Sequence, residues 1–390
     1  MKLDILTIVP FYKFFVKDLT EAIARELFSV TVFVHHNYLS EVAPYLPLPY
    51  FRHVEKFSKR NLVDLKNKPE NVDIDIISTL YFIPDGRNWG LGDKLFEKFR
   101  DHIKKEKIEF DLIHAHFTWP SGYVGVKLAK EFSVPAVITI HENRDWFLRE
   151  YNSKNDRIYW TWKNADAIIR VNQIDVPILS EFNQKVYSIP NGFNPNKFPV
   201  MNKNKARGVL DLPEDKKIIF SLGNLIERKG FQYLISAMKE VVKVRKDVLC
   251  FIGGSGPLKG ELEKQIKDLG LQEHVKLLGF VSDEELGYWM NAADLFVLSS
   301  LSEGNPTVMF EALGVGLPFV GTRVGGVPEI IISEDYGLLC EPANPKDLAE
   351  KILIALEKEW DREKIRKYAE QFTWETIAKR TLEVYRGVLK

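Results

Sequence analysis

The stretch Ser302-Glu303-Gly304-Asn305-Pro306-Thr307-Val308-Met309-Phe310-Glu311-Ala312-Leu313 decides how the rest of the chain reads. An apolar, strand-like run, Leu295-Phe296-Val297-Leu298, leads into it, and a helical pattern starts inside it. Asn305 is a good N-cap, and Pro306 suits the first helical position, where its missing N–H costs nothing. The N–H groups of Thr307, Val308 and Met309 are then expected to point out of the helix end unpaired. Such an end carries partial positive charge and favours an anion, most often a phosphate.

Two glutamates bracket that end. Glu303 precedes the helix, and Glu311 lies about a turn and a half into it. Helical side chains lean toward the N-terminus, so Glu311 approaches the same place from below. Carboxylates touching a phosphate would repel it. They make sense as acceptors for hydroxyls on either side of a diphosphate, which describes a sugar nucleotide. Taken alone, the pair fits equally well a dipole partner and a surface residue, because strand–glycine–helix turns are common in α/β proteins.

Working outward, 390 residues are enough for two ordinary domains. The 54 basic and 54 acidic residues balance, so no global field recruits nucleic acid or an anionic membrane. Cys250 and Cys340 sit in apolar runs and read as buried free thiols, which suits a reducing compartment. The start, Met1 to Pro10, carries an acid and reads as a first strand rather than a signal peptide. No uncharged run approaches membrane-spanning length. The expectation is a soluble, cytoplasmic protein, with peripheral contact at the inner face of the cell membrane left open.

Short β-rich runs alternate with longer helical patterns. Strand candidates in the first half are residues 3–9, 30–34, 73–77, 111–115, 135–140, 167–170 and 185–189. Between them Lys94 to Lys105 puts Leu95, Phe96, Phe99 and Ile103 on one helical face. A polar connector, Asn194 to Asp215, precedes a second alternating series from Ile218 to about Cys340. The pattern predicts two α/β domains with mostly parallel sheets. Residues 44–70 and 81–92 mix aromatic, proline and basic residues, including Tyr50, Phe51, Arg52, His53, Lys56, Phe57, Lys59 and Arg60. They read as a surface loop or as a contact for an acceptor at an anionic lipid surface.

Ligands of open α/β sheets bind beyond the carboxyl ends of the strands, so strand-end motifs carry weight. After the strand from Lys217 comes Gly223-Asn224-Leu225-Ile226-Glu227-Arg228-Lys229-Gly230. Cations at a helix start oppose the dipole, so Arg228 and Lys229 point to a bound anion or to an exposed basic turn. Gly253-Gly254-Ser255-Gly256-Pro257 lacks a complete dinucleotide fingerprint and reads as a tight turn. Gly279 and Phe280 end a strand whose backbone could read a nucleobase edge. Ser282 and Glu285 make a capping box just after it. Val324-Gly325-Gly326-Val327 is poised to let backbone approach a ligand. His116 and His141 end two separate strands at the ligand edge. His114 and His116 lack a third ligand for zinc, and Asp73 and Asp75 alternate as on the solvated face of an edge strand, so no metal site is assigned.

Together these residues resemble the retaining glycosyltransferases of family 4, which have the GT-B fold. The Glu303–Glu311 motif within SEGNPTVMFEAL is the strongest match. GNLIERKG, IGGSGPLKGEL, VKLLGFVSDEEL, ADLFVLSS and VGGVPEII follow the family's C-terminal domain in order, and IHAHFTWPSG, VITIHEN and IPNGFNPNKF resemble its N-terminal one. The resemblance implies two Rossmann-like domains with parallel sheets facing across a cleft. It divides the chain into residues 1–192 on the acceptor side, 193–372 on the nucleotide-sugar donor side, and a helix over 373–390 returning to the first domain.

It further implies a metal-independent enzyme without a cofactor. Such an enzyme moves a hexose-type sugar from a UDP- or GDP-sugar to a hydroxyl of a glycan, glycolipid or small acceptor, as in polysaccharide or glycolipid biosynthesis. Glu303 then contacts the donor sugar, and Glu311 holds the ribose hydroxyls. Lys229 neutralises the leaving diphosphate with the N–H groups of Thr307 and Val308, while Gly304 and Asn305 offer backbone contacts to the sugar. His141 matches a first-domain histidine that reaches the donor. Two departures stand out. Asn224 occupies a position where the family usually has arginine and brings no charge, so either Arg228 substitutes for it or the phosphate grip is weaker. The first loop, Pro10 to Phe15, has no glycine, which makes the acceptor side unusual. A sugar-nucleotide epimerase of the same fold, or a sugar-nucleotide binder without transfer activity, are the rival readings.

Overall fold

The computed structural model describes residues 3–26, 29–42, 45, 54, 57–82 and 88–390. Tyr50, Phe51, Arg52, His53 and Lys56 of the aromatic and basic segment lie outside the described residues. The chain forms two compact units, Met1–Asn191 with Trp374–Lys390, and Gly192–Thr373.

The first unit is built on strands β1 (Asp4–Val9), β2 (Ser29–Asn37), β3 (Val72–Thr79), β4 (Leu112–His116), β5 (Ala136–Ile140), β6 (Ala167–Arg170) and β7 (Val186–Ser188). Its sheet order is β3-β2-β1-β4-β5-β6-β7, with every pairing parallel. Strands covered by helices on both faces need apolar residues at consecutive positions, and β4, β5 and β6 are buried at every residue. The edge strand β3 is only partly covered, with Asp73 exposed, Ile74 to Ser78 half-buried, and Asp75 bonded to His102 Nε2 at 2.9 Å. The helix read from Lys94 to Lys105 runs Leu91–Glu106 and buries Leu95, Phe99 and Ile103.

The last helix, Trp374–Val388, belongs to this unit. Its Trp374, Ile377, Leu382 and Tyr385 join Val16, Leu19 and Ile23 of the helix Phe14–Arg25 in one apolar core. Arg380 Nη2 ties it to the carbonyl of Ser188 at 2.9 Å.

The second unit carries β8 (Lys217–Leu222), β9 (Val248–Gly253), β10 (Val275–Gly279), β11 (Leu295–Leu298), β12 (Phe319–Thr322) and β13 (Gly337–Cys340), in the order β10-β9-β8-β11-β12-β13. This is a doubly wound parallel sheet, and its strand order reverses between β8 and β11. Where the chain enters and leaves this unit, the Phe193 N–H donates to the Phe372 carbonyl at 3.0 Å. The capping box forms as read, with Ser282 Oγ accepting from Glu285 N–H and Glu285 accepting from Ser282 N–H. Cys250 and Cys340 are free and buried, and burial lifts the Cys340 thiol to about 12. Among the described residues no helix is long and apolar enough to cross a membrane.

Candidate active site

In the second unit the switch point between β8 and β11 brings two loops together, Gly223–Gly230 and Ser299–Pro306. The Leu301 N–H donates to the Arg228 carbonyl at 2.7 Å, and Ser299 Oγ donates to the Lys229 carbonyl at 3.1 Å. The close approach requires glycine at 230. Its φ is +63°, and a Cβ there would lie 2.1 Å from the Ser299 carbonyl oxygen.

Glu303 sits at the centre of this contact, only 5% exposed. Its Oε1 accepts from Lys229 Nζ at 2.5 Å and from Ser300 Oγ at 2.6 Å, and its Oε2 accepts from Arg228 Nη1 at 3.0 Å. Burial pushes the carboxyl up, but the charges of Lys229 and Arg228 outweigh it and hold Glu303 below the usual carboxylate range. The site therefore carries an ionised glutamate at neutral pH, with two cations beside it. The aliphatic stem of Lys229 runs close to Gly223, while Asn224, in the same turn, is exposed.

The helix that follows starts one residue later than the sequence reading placed it. It runs Thr307–Gly314, with Pro306 as its N-cap at φ −73° and ψ 119°. Asn305 is not the cap. The proline ring fixes φ, but its ψ stays extended, so the helix begins at Thr307. The Met309 N–H is not an outward donor either, since it bonds back to the Pro306 carbonyl at 3.2 Å. Pro306 offers no side-chain cap, and Thr307 and Val308 carry the first two N–H groups of the helix. Glu311 is half-buried about one turn into it.

The loop Val324–Val327 packs against the loop that carries Glu303. Its glycines let the backbone approach the loop Ser299–Pro306. Gly325 has φ +51°, and a Cβ there would lie 2.1 Å from the Glu303 carbonyl oxygen. The Gly326 N–H donates to the Gly304 carbonyl at 2.8 Å, and Thr322 Oγ1 donates to the Ser300 carbonyl at 2.6 Å. Gly304 and Asn305 are accordingly buried. The sequence reading missed Ser300, Thr322 and these glycines as the holders of Glu303. Hydroxyls immediately past a buried strand were the available signal. Gly279 and Phe280 lie elsewhere, at the end of the edge strand β10, with Gly279 at φ +77° and Phe280 80% exposed.

In the first unit His116 and His141 do meet. Their Nδ1 and Nε2 atoms are 2.9 Å apart. His116 is 1% exposed, and burial depresses its imidazole to about 3. Burial, His116 and Arg170 depress His141 as well, so both rings are neutral. His116 thus acts as a partner of His141 within the fold. Next to it His114 lies 2.7 Å from the hydroxyl of Tyr385 on the last helix and 2.8 Å from Thr139 Oγ1. The carbonyls on either side of His141, those of Ile140 and Glu142, both accept from Arg170 Nη1 at 2.8 Å.

The comparisons with known proteins agree with this architecture. The family model described as Glycosyltransferase Family 4 matches residues 14–197, and that of Glycosyl transferases group 1 matches residues 202–372. The chain belongs to the family 4 glycosyltransferases. This glycosyltransferase is 31% identical over 296 residues to an uncharacterised glycosyltransferase of Methanocaldococcus jannaschii, covering 71% of this chain and 75% of that one. Among solved structures it resembles the sucrose-phosphate synthase of Thermosynechococcus elongatus, with a TM-score of 0.76, 22% identity and 99% of each chain covered. It also resembles Anabaena HepE in complex with UDP-glucose, with a TM-score of 0.70, 20% identity, and 99% of this chain and 100% of that one covered. These structural likenesses establish the GT-B fold, with its two Rossmann-like domains.

Proposed function

We propose that this glycosyltransferase moves a hexose-type sugar from a UDP- or GDP-sugar to a hydroxyl of a glycan, glycolipid or small acceptor, retaining the anomeric configuration and using no metal ion. The observation that carries this reading is the pairing of Lys229 Nζ with Glu303, 2.5 Å apart, beside the start of the helix Thr307–Gly314 at the β8/β11 switch point. In the reaction the bond from the sugar's anomeric carbon to the diphosphate oxygen breaks, and its electron pair leaves with the diphosphate. The acceptor oxygen bonds to the same carbon on the same face, and its proton passes to the departing phosphate oxygen.

Lys229 and the N–H groups of Thr307 and Val308 take up the charge that grows on the diphosphate, which removes the need for a divalent ion. The ionised Glu303 faces the positive charge that grows on the sugar, Glu311 receives the ribose hydroxyls, and Asn305 contacts the sugar. Gly279 and Phe280 end β10, two strands from β8 on the same carboxyl edge of the sheet, and receive the base. The UDP-glucose held by the HepE neighbour supports a nucleotide-sugar donor. UDP or GDP should raise the melting temperature of the protein, because a ligand bound only to the native state stabilises it. In a Lys229→Ala variant calorimetry should give a diphosphate affinity weaker by about tenfold or more, the loss of a charge-assisted contact. Equal affinity in the two proteins would remove Lys229 from the diphosphate site.

A peripheral membrane contact of the first unit also belongs to this reading. Phe14, Tyr38, Phe57, Leu80 and Phe82 are each at least half exposed; Phe14 opens the helix after β1, and the others lie on the segments that follow β2 and β3. The segments are tied together, since the Tyr38 N–H donates to the Thr79 carbonyl and the Tyr12 N–H to the Leu62 carbonyl, while Ser40 Oγ donates to the Phe57 carbonyl within the segment after β2. Lys59 and Arg60 are exposed among them, whereas the acids nearby are engaged, Glu41 by His36 and Asp64 by Lys17. Exposed apolar side chains beside exposed cations suit an anionic lipid surface. The protein should co-sediment with phosphatidylglycerol vesicles at low salt and not with phosphatidylcholine ones. Vesicle binding that survives Phe82→Ser with Lys59→Glu would place the contact elsewhere.

A further inference from the structure

Arg228 and Lys229 are neighbours in sequence and both reach Glu303, yet the geometry gives them different freedom. Oε1 of Glu303 has two donors, Lys229 Nζ and Ser300 Oγ, so it keeps one when Lys229 turns toward another anion. Oε2 is bonded to Arg228, and the same Nη1 also donates to the Ser302 carbonyl at 2.7 Å. The Arg228 carbonyl in turn accepts the Leu301 N–H. Arg228 therefore holds three consecutive residues, Leu301, Ser302 and Glu303. Turning its guanidinium to a phosphate would strip a donor from a carboxylate that is 5% exposed and from a backbone carbonyl at once. Unpaired buried acceptors are costly.

Resting on the proposed donor site, we infer that Arg228 is a positioning residue. It stays on Ser302 and Glu303 throughout the reaction and aims the carboxylate, while Lys229 alone moves between Glu303 and the diphosphate. Arg228 does not replace, as a phosphate ligand, the cation missing at Asn224. The exposed Asn224 leaves the diphosphate with a single side-chain cation from this loop.

The test compares Arg228→Ala, Arg228→Lys and Lys229→Ala in the full chain, using UDP and GDP as calorimetric probes and UDP-glucose and GDP-mannose as donors. Arg228→Ala should lower kcat by about tenfold or more while leaving the diphosphate Kd within about twofold, the signature of an interaction used in the transition state. Lys229→Ala should show the opposite emphasis, with Kd weakened. Arg228→Lys keeps the charge but not the planar fork, so it should recover only part of kcat. If Arg228→Ala weakens diphosphate binding as much as Lys229→Ala does, or if Arg228→Lys restores full turnover, Arg228 is a phosphate ligand and the inference fails. Carbon-13 titration of the Glu303 carboxyl provides an arm independent of any donor. Its titration should move to higher pH in Arg228→Ala, and an unmoved titration overturns the inference. Wild-type protein that binds neither diphosphate while the titration still moves would refute the donor assignment and leave the Arg228–Glu303 coupling standing.

Discussion

Replacing Glu303 by alanine is expected to leave the fold intact and to lower turnover by at least ~100-fold, the scale seen when a preorganised electrostatic group is lost from an active site. The expectation follows from how much of the structure serves this carboxylate. Ser300, Arg228 and Lys229 bond its oxygens, and Gly325 and Gly326 pack against its own carbonyl and that of Gly304. A buried acid could be dispensable if it only neutralised its two cations. The isosteric Glu303→Gln separates these roles, because it keeps the packing and two of the acceptor contacts but carries no charge. If the charge stabilises the reacting sugar, Glu303→Gln should fall almost as far as Glu303→Ala, whereas a packing role predicts near-normal turnover in the glutamine variant. Circular dichroism and the melting temperature of both variants report whether the fold survives. Turnover near wild type in both would remove Glu303 from the reaction.

The sheets were legible because buried parallel strands demand apolar runs. Residues 111–115 and 135–140 announce β4 and β5 within one residue, and in the second unit Gly223 and Gly254 mark the turns that follow β8 and β9. The site was legible to the extent that it is local, so Glu303, Lys229 and the helix end could be read from two short stretches. What joins those stretches was not. Ser300 looks like any strand-end serine until the fold brings Glu303 Oε1 to it. The one-residue error at Asn305 and Pro306 arose because proline at N-cap and at N1 are both compatible with its fixed φ, and only ψ tells them apart. The partner of His114 stands 271 residues away, on the last helix, at a distance no periodicity reports. The glycines at 325 and 326 were read as permitting a close approach, and the Glu303 and Gly304 carbonyls they meet were not foreseen. A sequence shows that the backbone comes near something, and not what it comes near.

The largest effect on stability is expected in the first unit, from Arg170→Met. Arg170 is fully buried, and its Nε and Nη2 bond Asp175 at 3.1 and 2.6 Å while its Nη1 bonds the carbonyls of Ile140 and Glu142. Methionine fits the hydrocarbon part of that volume but supplies no donor. Asp175 would then keep the Arg144 Nε contact at 3.2 Å, from a side chain that is 37% exposed and so a weak substitute. Removing one member of a buried ion pair typically costs about 3–5 kcal/mol, most of it from the charge left behind. Urea unfolding of the first unit should shift by that amount. Adding Asp175→Leu to Arg170→Met removes the stranded carboxylate and should recover a substantial part of the loss, although the two carbonyls stay without their donor. A loss below about 1 kcal/mol in the single variant would mean that solvent reaches Asp175 and that the pair behaves as a surface one. Because the same guanidinium holds the backbone on both sides of His141, Arg170→Met should also disturb the His116–His141 contact, and histidine resonances in the folded variant would report it.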